Sequence, residues 1–275
     1  MKIENVVIKL PNLSKEYVFL QVSDIHVSYG NSDEPEEHLS MIQEQNRQWS
    51  PAGFLPEETM DMLKEQILQS DVSVDAVLMA GDCMNFYSPS NFDLFLEKYN
   101  SLPTEILYTP GNHEHWIISH DEAESSQVSW DKMSSLMQGC SDFWVKDYGE
   151  FLIVGIDNAE HEVSEHQVKL LKQQMQRGLP IFLLVHIPFY SQPLMRDIEK
   201  RWGEPNTYFV FETDNMSDSS KEFCALVRDP QGSVVSVFAG HIHAAHTGEY
   251  ASGKIQYVSA PLHDLYVRKI IIQPA

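Results

Sequence analysis

Cysteine is scarce in this chain of 275 residues, which has only Cys83, Cys140 and Cys224. Their number is odd and their spacing shows no pairs, so the sequence predicts neither a disulfide framework nor a zinc site built from thiolates. A chain without disulfides is typical of a reducing compartment. We therefore expect a cytoplasmic protein.

Long apolar runs are also missing. No run reaches the roughly 18 residues that indicate a transmembrane helix. The first residues, MKIENVVIKLPNL, include an early lysine but neither a long apolar core nor a small-residue cleavage site. The sequence thus predicts no membrane span and no secretion.

Basic residues are few, with 19 Lys and Arg against 40 Asp and Glu, for a formal net charge of -21. Two bound divalent cations would still leave the charge strongly negative, and such a field repels DNA or RNA at long range. A nucleic-acid polymer is therefore disfavoured as substrate. A small molecule is expected, and the oligomeric state stays open.

Polar residues of a particular kind follow several apolar segments of strand length. In the stretch DAVLMAGDCMN, residues 75–85, an apolar run stops at Gly81 and Asp82, which is typical of a buried strand whose end opens on a site. Four more runs end in the same way. Together these ends supply Asp24, His26, Asp82, Asn112, His186, His241 and His243, with His113 beside them.

These residue types favour a transition-metal site. Imidazole, carboxylate and amide groups suit Mn, Fe or Zn better than Ca. Residues i and i+2 of an extended chain face one side, so Asp24 with His26, and His241 with His243, are each predicted to project as a pair. Seven ligands are too many for one metal with an open position, but they suit two metals that share a carboxylate. Asp82, which follows a glycine, is the expected bridge.

The ordered motifs DIH, GD, GNHE, a lone histidine after an apolar strand, and GHIH resemble those of the calcineurin-like metallophosphoesterases. The resemblance extends over residues 17–243 and implies a four-layer αββα sandwich of two mixed sheets. It also implies that His113 is catalytic. The implied ligands are Asp24, His26, Asp82 and His243 for one metal, and Asp82, Asn112, His186 and His241 for the other.

One motif departs from the protein phosphatase branch of this family, in which GD continues as GDxxDRG. Here Asn85 stands at the position of the second Asp and no Arg follows. The amide carbonyl of Asn85 could still orient His113, but it adds no charge to raise the pKa of that histidine. Protein phosphatase activity is not expected.

The rest of the chain predicts an α/β fold with a single domain over residues 1–275. It includes an acidic insertion at about 29–55, interpreted either as a solvated excursion or as a lid, and a long irregular loop at about 187–216. A helix is predicted from Ser125 to Met137, ended by Gly139. Candidate substrate contacts are Asn85, His115, Arg196 and Arg201.

The sequence therefore predicts a binuclear metal-dependent phosphoesterase, in which a metal-bound hydroxide attacks a small phosphodiester and His113 assists the leaving oxygen. Two alternatives remain. One is a phosphomonoesterase that uses the same site, and the other is a non-catalytic scaffold with this fold, in which the acidic insertion binds a partner.

Overall fold

The computed structural model describes residues 1–117, 126–137, 142–212 and 215–275. His120, Gly139 and Cys140 lie outside these ranges. The predicted helix near 125–137 is described as α4, Ser126–Ser134. Among the described residues, no helix combines the length and apolar character that a bilayer crossing requires.

The first sheet has five strands: β1 (Lys2–Leu10), β2 (Tyr17–Val22), β3 (Ala76–Ala80), β4 (Glu105–Thr109) and β11 (Tyr266–Pro274), in the spatial order β1-β11-β2-β3-β4. Parallel pairing of β2, β3 and β4 brings the carboxyl ends of these strands to one edge. A helix joins β3 to β4, so these elements form a strand–helix–strand unit over residues 75–108. β11 lies between β1 and β2, parallel to β1 and antiparallel to β2.

The second sheet has six strands: β5 (Phe143–Asp147), β6 (Leu152–Ile156), β7 (Ile181–Leu184), β8 (Val234–Ala239), β9 (His246–Ala251) and β10 (Lys254–Val258). Their spatial order is β5-β6-β7-β8-β10-β9. β6, β7 and β8 are parallel, so their carboxyl ends also share an edge. β9 and β10 form an antiparallel hairpin.

Aromatic and polar side chains join the two sheets. Phe151 packs edge-on against Phe182 at 5.4 Å and, from the opposite sheet, Phe19 lies 6.4 Å from Phe151. Gln21 also crosses the interface, since its side-chain amide donates to the Ala239 carbonyl at 2.9 Å. These contacts pack the two sheets against each other, and the Gln21 bond lies near the carboxyl ends of β2 and β8.

Helices cover both outer faces, which confirms the four-layer α/β sandwich. α2 (Pro56–Leu68) and α3 (Pro89–Ser101) cover the first sheet, while α5 (Glu165–Met175) and α7 (Asp218–Arg228) cover the second. Helix α1 (Glu36–Gln48) lies within the insertion. The single-domain boundary stays a prediction.

The segment 187–216 is not wholly irregular as predicted, because it contains helix α6 (Gln192–Trp202). The Ser191 hydroxyl accepts from the Leu194 backbone N–H and caps the start of this helix. Leu194 and Ile198 bury one face, and Gly203 ends the helix in a left-handed conformation with φ 88°. The local capping and apolar spacing therefore outweigh the polar composition that suggested a loop.

Candidate metal centre

The ends of five strands converge on a buried cluster of acids and histidines. Two groups in it have ligand atoms within 4.8 Å of one another, and Asp82 belongs to both. The first group is Asp24, His26, Asp82 and His243, and the second is Asp82, His186 and His241. The clusters fit a dinuclear metal site.

Left-handed backbone, and not extended chain, brings the paired ligands together. Asp24 and His26 have φ of 51° and 58°, and His241 and His243 have φ of 74° and 51°. The predicted convergence of i and i+2 side chains is confirmed, but the reason given for it is wrong. Residues other than glycine adopt this conformation at a cost of about 1–3 kcal/mol, which the surrounding fold must supply.

Close backbone approach at Gly81 and Gly111 forms the centre of the cluster. Gly81 has φ 83°, and a Cβ there would meet the Nδ1 of His186 at 2.5 Å. A Cβ on Gly111 would overlap the Asp82 carboxylate. Glu114 reinforces the same loops, because its carboxylate accepts backbone N–H bonds from Asp82, Met84 and Gly111. Only glycine fits at these two positions.

Three of the histidines are oriented by oxygen atoms outside the cluster. The Nδ1 of His26 lies 3.1 Å from the Asn85 side-chain oxygen, and the Nδ1 of His186 lies 2.7 Å from the Ala80 carbonyl. The Nε2 of His241 lies 3.3 Å from the Tyr208 carbonyl. Each of these nitrogens acts as donor, so the other nitrogen of each ring presents a lone pair to the cluster.

Those lone pairs face each other at short range. The Nε2 of His186 is 3.1 Å from the Nδ1 of His241 and 3.2 Å from the Asp82 carboxylate. The Asn112 side-chain oxygen is also 3.2 Å from the same nitrogen. Acceptors crowded in this way repel one another unless a cation lies between them, so the residues fit a bound metal.

Burial and the closeness of neighbouring charges also shift the pKa values of His186, His241 and Asp82. Burial opposes a proton on His186, but the charge of Asp82 outweighs it and raises the pKa of His186 to about 9. In the absence of metal, a proton would occupy this position. Burial and the neighbouring His186 lower the pKa of His241 to about 3. The pKa of Asp82 is well below its usual value because the charges of His186 and His113 outweigh the effect of burial.

Asn85 contacts the cluster differently from the prediction. Its side-chain oxygen faces His26, whereas its backbone carbonyl lies 2.9 Å from the Nδ1 of His113. The backbone N–H of His113 donates to Asp82 at 2.9 Å, and the ring packs edge-on against His26 at 4.6 Å. His113 is therefore beside the cluster but belongs to neither group. A turn over residues 112–115 follows Pro110-Gly111 and lets the adjacent Asn112 and His113 both reach the cluster.

The other candidate substrate contacts differ in how near they lie to the cluster. His115 binds Asp157 at 3.1 Å, and the structure gives it no contact with either group. Arg196 is exposed on α6 and likewise has no such contact among the described residues. The guanidinium of Arg201 lies 5.3 Å from the Trp202 ring, and its charge contributes to lowering the pKa of His263, so this arginine lies near the edge of the cluster.

The structure also brings in residues that the sequence did not assign to the site. Trp49 stacks on His26 at 4.3 Å, and the Nδ1 of His263 lies 2.8 Å from the Asp24 carbonyl. Asn158 binds the backbone N–H groups of His186 and Ile187 through its side-chain oxygen, as a support and not as a ligand. The position of the Asp157-Asn158 pair directly after an apolar strand predicts such a turn or supporting role for Asn158, in contrast to Trp49, which no sequence pattern assigned to the site.

Comparisons with known proteins gave similar solved structures but no curated relative. A search of curated proteins gave no match. Among solved structures, a dimetal phosphatase from Danio rerio aligns with 13% identity over 90% of this chain and 88% of that one, with a TM-score of 0.55. The phosphopantetheinyl hydrolase of Mycobacterium tuberculosis aligns with 14% identity over 92% of each chain, with a TM-score of 0.49.

This chain therefore shares the fold of the Danio rerio protein. The match to a family model gives more specific evidence of the family. The model of the calcineurin-like phosphoesterase family matches residues 17–245. That range starts at β2, whose end carries Asp24, and closes just after His243. Because the match includes every strand end that contributes to the cluster, the chain belongs to the calcineurin-like phosphoesterase family.

Proposed function

We propose that this protein is a binuclear metal-dependent phosphoesterase that hydrolyses a small-molecule phosphodiester. The observation that carries the proposal is the sharing of Asp82 by two groups of lone-pair donors. Asp24, His26, Asp82 and His243 would hold one ion, and Asp82, Asn112, His186 and His241 the other. When bound, the two ions supply Lewis-acid stabilisation of the phosphoryl oxygens and lower the pKa of a water that can attack phosphorus.

His113 is proposed to move the proton that the leaving oxygen needs. Its Nδ1 donates to the Asn85 carbonyl, so the Nε2 is the nitrogen that can exchange a proton with substrate. The backbone N–H of His113 is fixed on Asp82, which keeps the ring at the border of the two groups. The ring is thereby positioned by residues that also position the metals.

Charge favours a diester over a monoester. The formal net charge is -21, and the ion pairs of Asp82 and Asp24 are with the histidines His186 and His243. A diester carries one negative charge, while a monoester carries up to two near neutral pH. The less charged substrate meets less long-range repulsion. A phosphomonoester remains the second candidate, because the same two ions would bind it.

Exposed aromatic rings at the edge of the cluster favour an organic substituent. Trp116, Trp202 and Tyr208 are 44%, 40% and 51% exposed, although large aromatic side chains are usually buried. Each ring lies 5.5–6.3 Å from a ring of the cluster or of His113. Such rings can pack against a planar or apolar ester group.

Metal analysis of the purified protein, combined with hydrolysis of bis(p-nitrophenyl) phosphate and p-nitrophenyl phosphate, tests the proposal. We expect two metal ions per chain and faster turnover of the diester. Faster turnover of the monoester would support the second candidate. A protein without metal, and without turnover when Mn is added, would instead support the scaffold alternative.

A pair of matched variants tests the bridge. Asp82→Asn should lose both metals and turnover, because each group loses a charged oxygen. Asp157→Asn removes a carboxylate after a neighbouring strand and should retain both. Two metals and full turnover in the Asp82→Asn protein would show that Asp82 is not shared between them.

A further inference from the structure

His161 has the same unusual backbone as the residues of the cluster. Among the described residues, nine other than glycine have positive φ, and five of these are the aspartates and histidines Asp24, His26, Asp82, His241 and His243. His161, with φ 60°, is the sixth aspartate or histidine among these nine residues. Strained backbone of this kind concentrates at functional sites. The sequence alone gave His161 no role.

The ring of His161 lies beside the second group. Its centroid is 6.3 Å from the ring of His241 and 5.3 Å from the ring of Tyr208, whose carbonyl orients His241. A turn places it there, since the backbone N–H of His161 donates to the Asn158 carbonyl at 3.0 Å. Asn158 in turn holds the backbone of His186. His161 is therefore positioned by the loop that supports the second group.

Neither ring nitrogen of His161 has a partner at hydrogen-bonding geometry among the described residues, although both are buried and the Val210 backbone lies near the ring. The ring nitrogens of His113 and His186 differ, because each of these residues has one bound to a backbone carbonyl. A buried donor without a partner is unfavourable, because it has given up its hydrogen bonds to water. A bound ligand that accepts a hydrogen bond would recover this cost.

His161 and His113 lie next to different groups. His113 packs against His26 of the first group, whereas His161 packs near His241 of the second. Neither belongs to the sets of atoms that could hold a metal. A phosphoryl group spanning the two groups would thus have one non-ligand histidine near each end.

We propose that His161 donates a hydrogen bond to a non-bridging oxygen of the substrate phosphoryl group. This inference rests on the proposed function and assigns to His161 the binding of phosphate, while His113 handles the leaving oxygen. No covalent bond forms at His161, and no net proton moves there. A hydrogen bond to a charged oxygen strengthens binding by about 1.5–3 kcal/mol, which corresponds to roughly 10- to 150-fold in affinity.

Calorimetric titration with inorganic phosphate tests this role in the metal-loaded protein. His161→Ala should weaken phosphate binding at least 10-fold with both metals retained. His161→Gln, which keeps a side-chain N–H of similar reach, should recover most of the affinity. His166→Ala is the matched control, because His166 is an exposed histidine on α5. It should bind phosphate like the native protein.

The outcomes separate this inference from the function that it extends. Unchanged phosphate affinity in His161→Ala, with a melting temperature shift alone, would overturn it and leave the esterase proposal standing. Loss of a metal would also overturn it, by making His161 a ligand. If native protein binds phosphate but hydrolyses neither nitrophenyl ester, the proposed function fails while the affinities of the variants still decide the role of His161.

Discussion

Trp49 stacks on His26 with ring centroids 4.3 Å apart and planes 10° apart. The tryptophan follows helix α1 of the acidic insertion, and its ring also lies 5.0 Å from that of His243. Two hydrogen bonds fix the insertion: Asn46 donates to the Ser28 carbonyl, and Ser90 donates to Glu34. The insertion therefore contacts the cluster directly, which supports the lid interpretation over a solvated excursion.

Replacing Trp49 with alanine should change substrate binding more than metal content. The indole covers one face of His26, but the oxygen of Asn85 still orients that ring. We expect a several-fold change in KM for an aryl phosphodiester, with both metals retained. Phe54→Ala is the matched control, since Phe54 is an exposed aromatic of the same insertion. Identical kinetics in the two variants would contradict the lid interpretation and favour a solvated excursion.

Asn85→Ala should weaken one metal position selectively. The side-chain oxygen of Asn85 fixes the ring of His26, and loss of such a support reduces metal affinity by about 10- to 100-fold. We expect one ion to be removed at a lower chelator concentration than in native protein, while the ion near His186 stays. Asn100→Ala, an exposed change on α3, serves as control. Equal loss of both ions would contradict separate support of the two positions.

His113→Ala should separate metal binding from proton transfer. Both ions should remain, because His113 belongs to neither group. For esters with poor leaving groups, kcat should fall by about 10²- to 10⁴-fold, whereas an activated nitrophenyl ester should be largely spared. Metal analysis and kcat across leaving groups of graded pKa measure this. Equal damage to good and poor leaving groups would exclude a general-acid role.

His263 predicts an acid limb in the stability of the metal-free protein. Burial, together with the charge of His243, lowers the pKa of His263 to about 3. The folded state then stays neutral there while the unfolded state binds a proton below pH 6.5. Stability from this group is complete above pH 6.5 and falls by about 1.4 kcal/mol per pH unit as pH drops toward 3.

Denaturant unfolding of chelator-treated protein between pH 4 and 7 measures that slope. His263→Gln should have a shallower dependence than native protein, by close to one proton. His166→Gln makes the same substitution at an exposed histidine and should leave the slope unchanged. Parallel curves for native protein and His263→Gln would show that His263 does not remain neutral in the fold.

The sequence predicted the ends of the strands well because the information there is local. An apolar run followed by Gly81 and Asp82 indicates both the strand and its exit. The parallel order of β2, β3 and β4 then brings Asp24, Asp82 and Asn112 to one edge. The α/β class and the clustering of the predicted metal ligands followed from this pattern, whereas the four-layer sandwich was implied by the family resemblance.

Contacts between distant segments were harder to predict. The approach of Trp49 to His26 depends on where α1 docks, and no periodicity encodes that docking. The role of Asn85 also differed from the prediction. Its side-chain oxygen contacts His26, whereas its backbone carbonyl contacts His113. Helix α6 was missed since its polar surface hid the buried pair Leu194 and Ile198.

The position of β11 has a consequence for the order of assembly during translation. β11 lies between β1 and β2, with residues 266–274 separating two strands from the start of the chain. Arg268 within it is buried and binds Glu4 on β1 at 2.9 Å, as well as the Val258 carbonyl. During translation, one edge of β2 would stay unpaired until residues 266–274 emerged from the ribosome. All the candidate metal ligands precede residue 244, so the sheet that carries Asp24 would be completed only after every ligand had been synthesised.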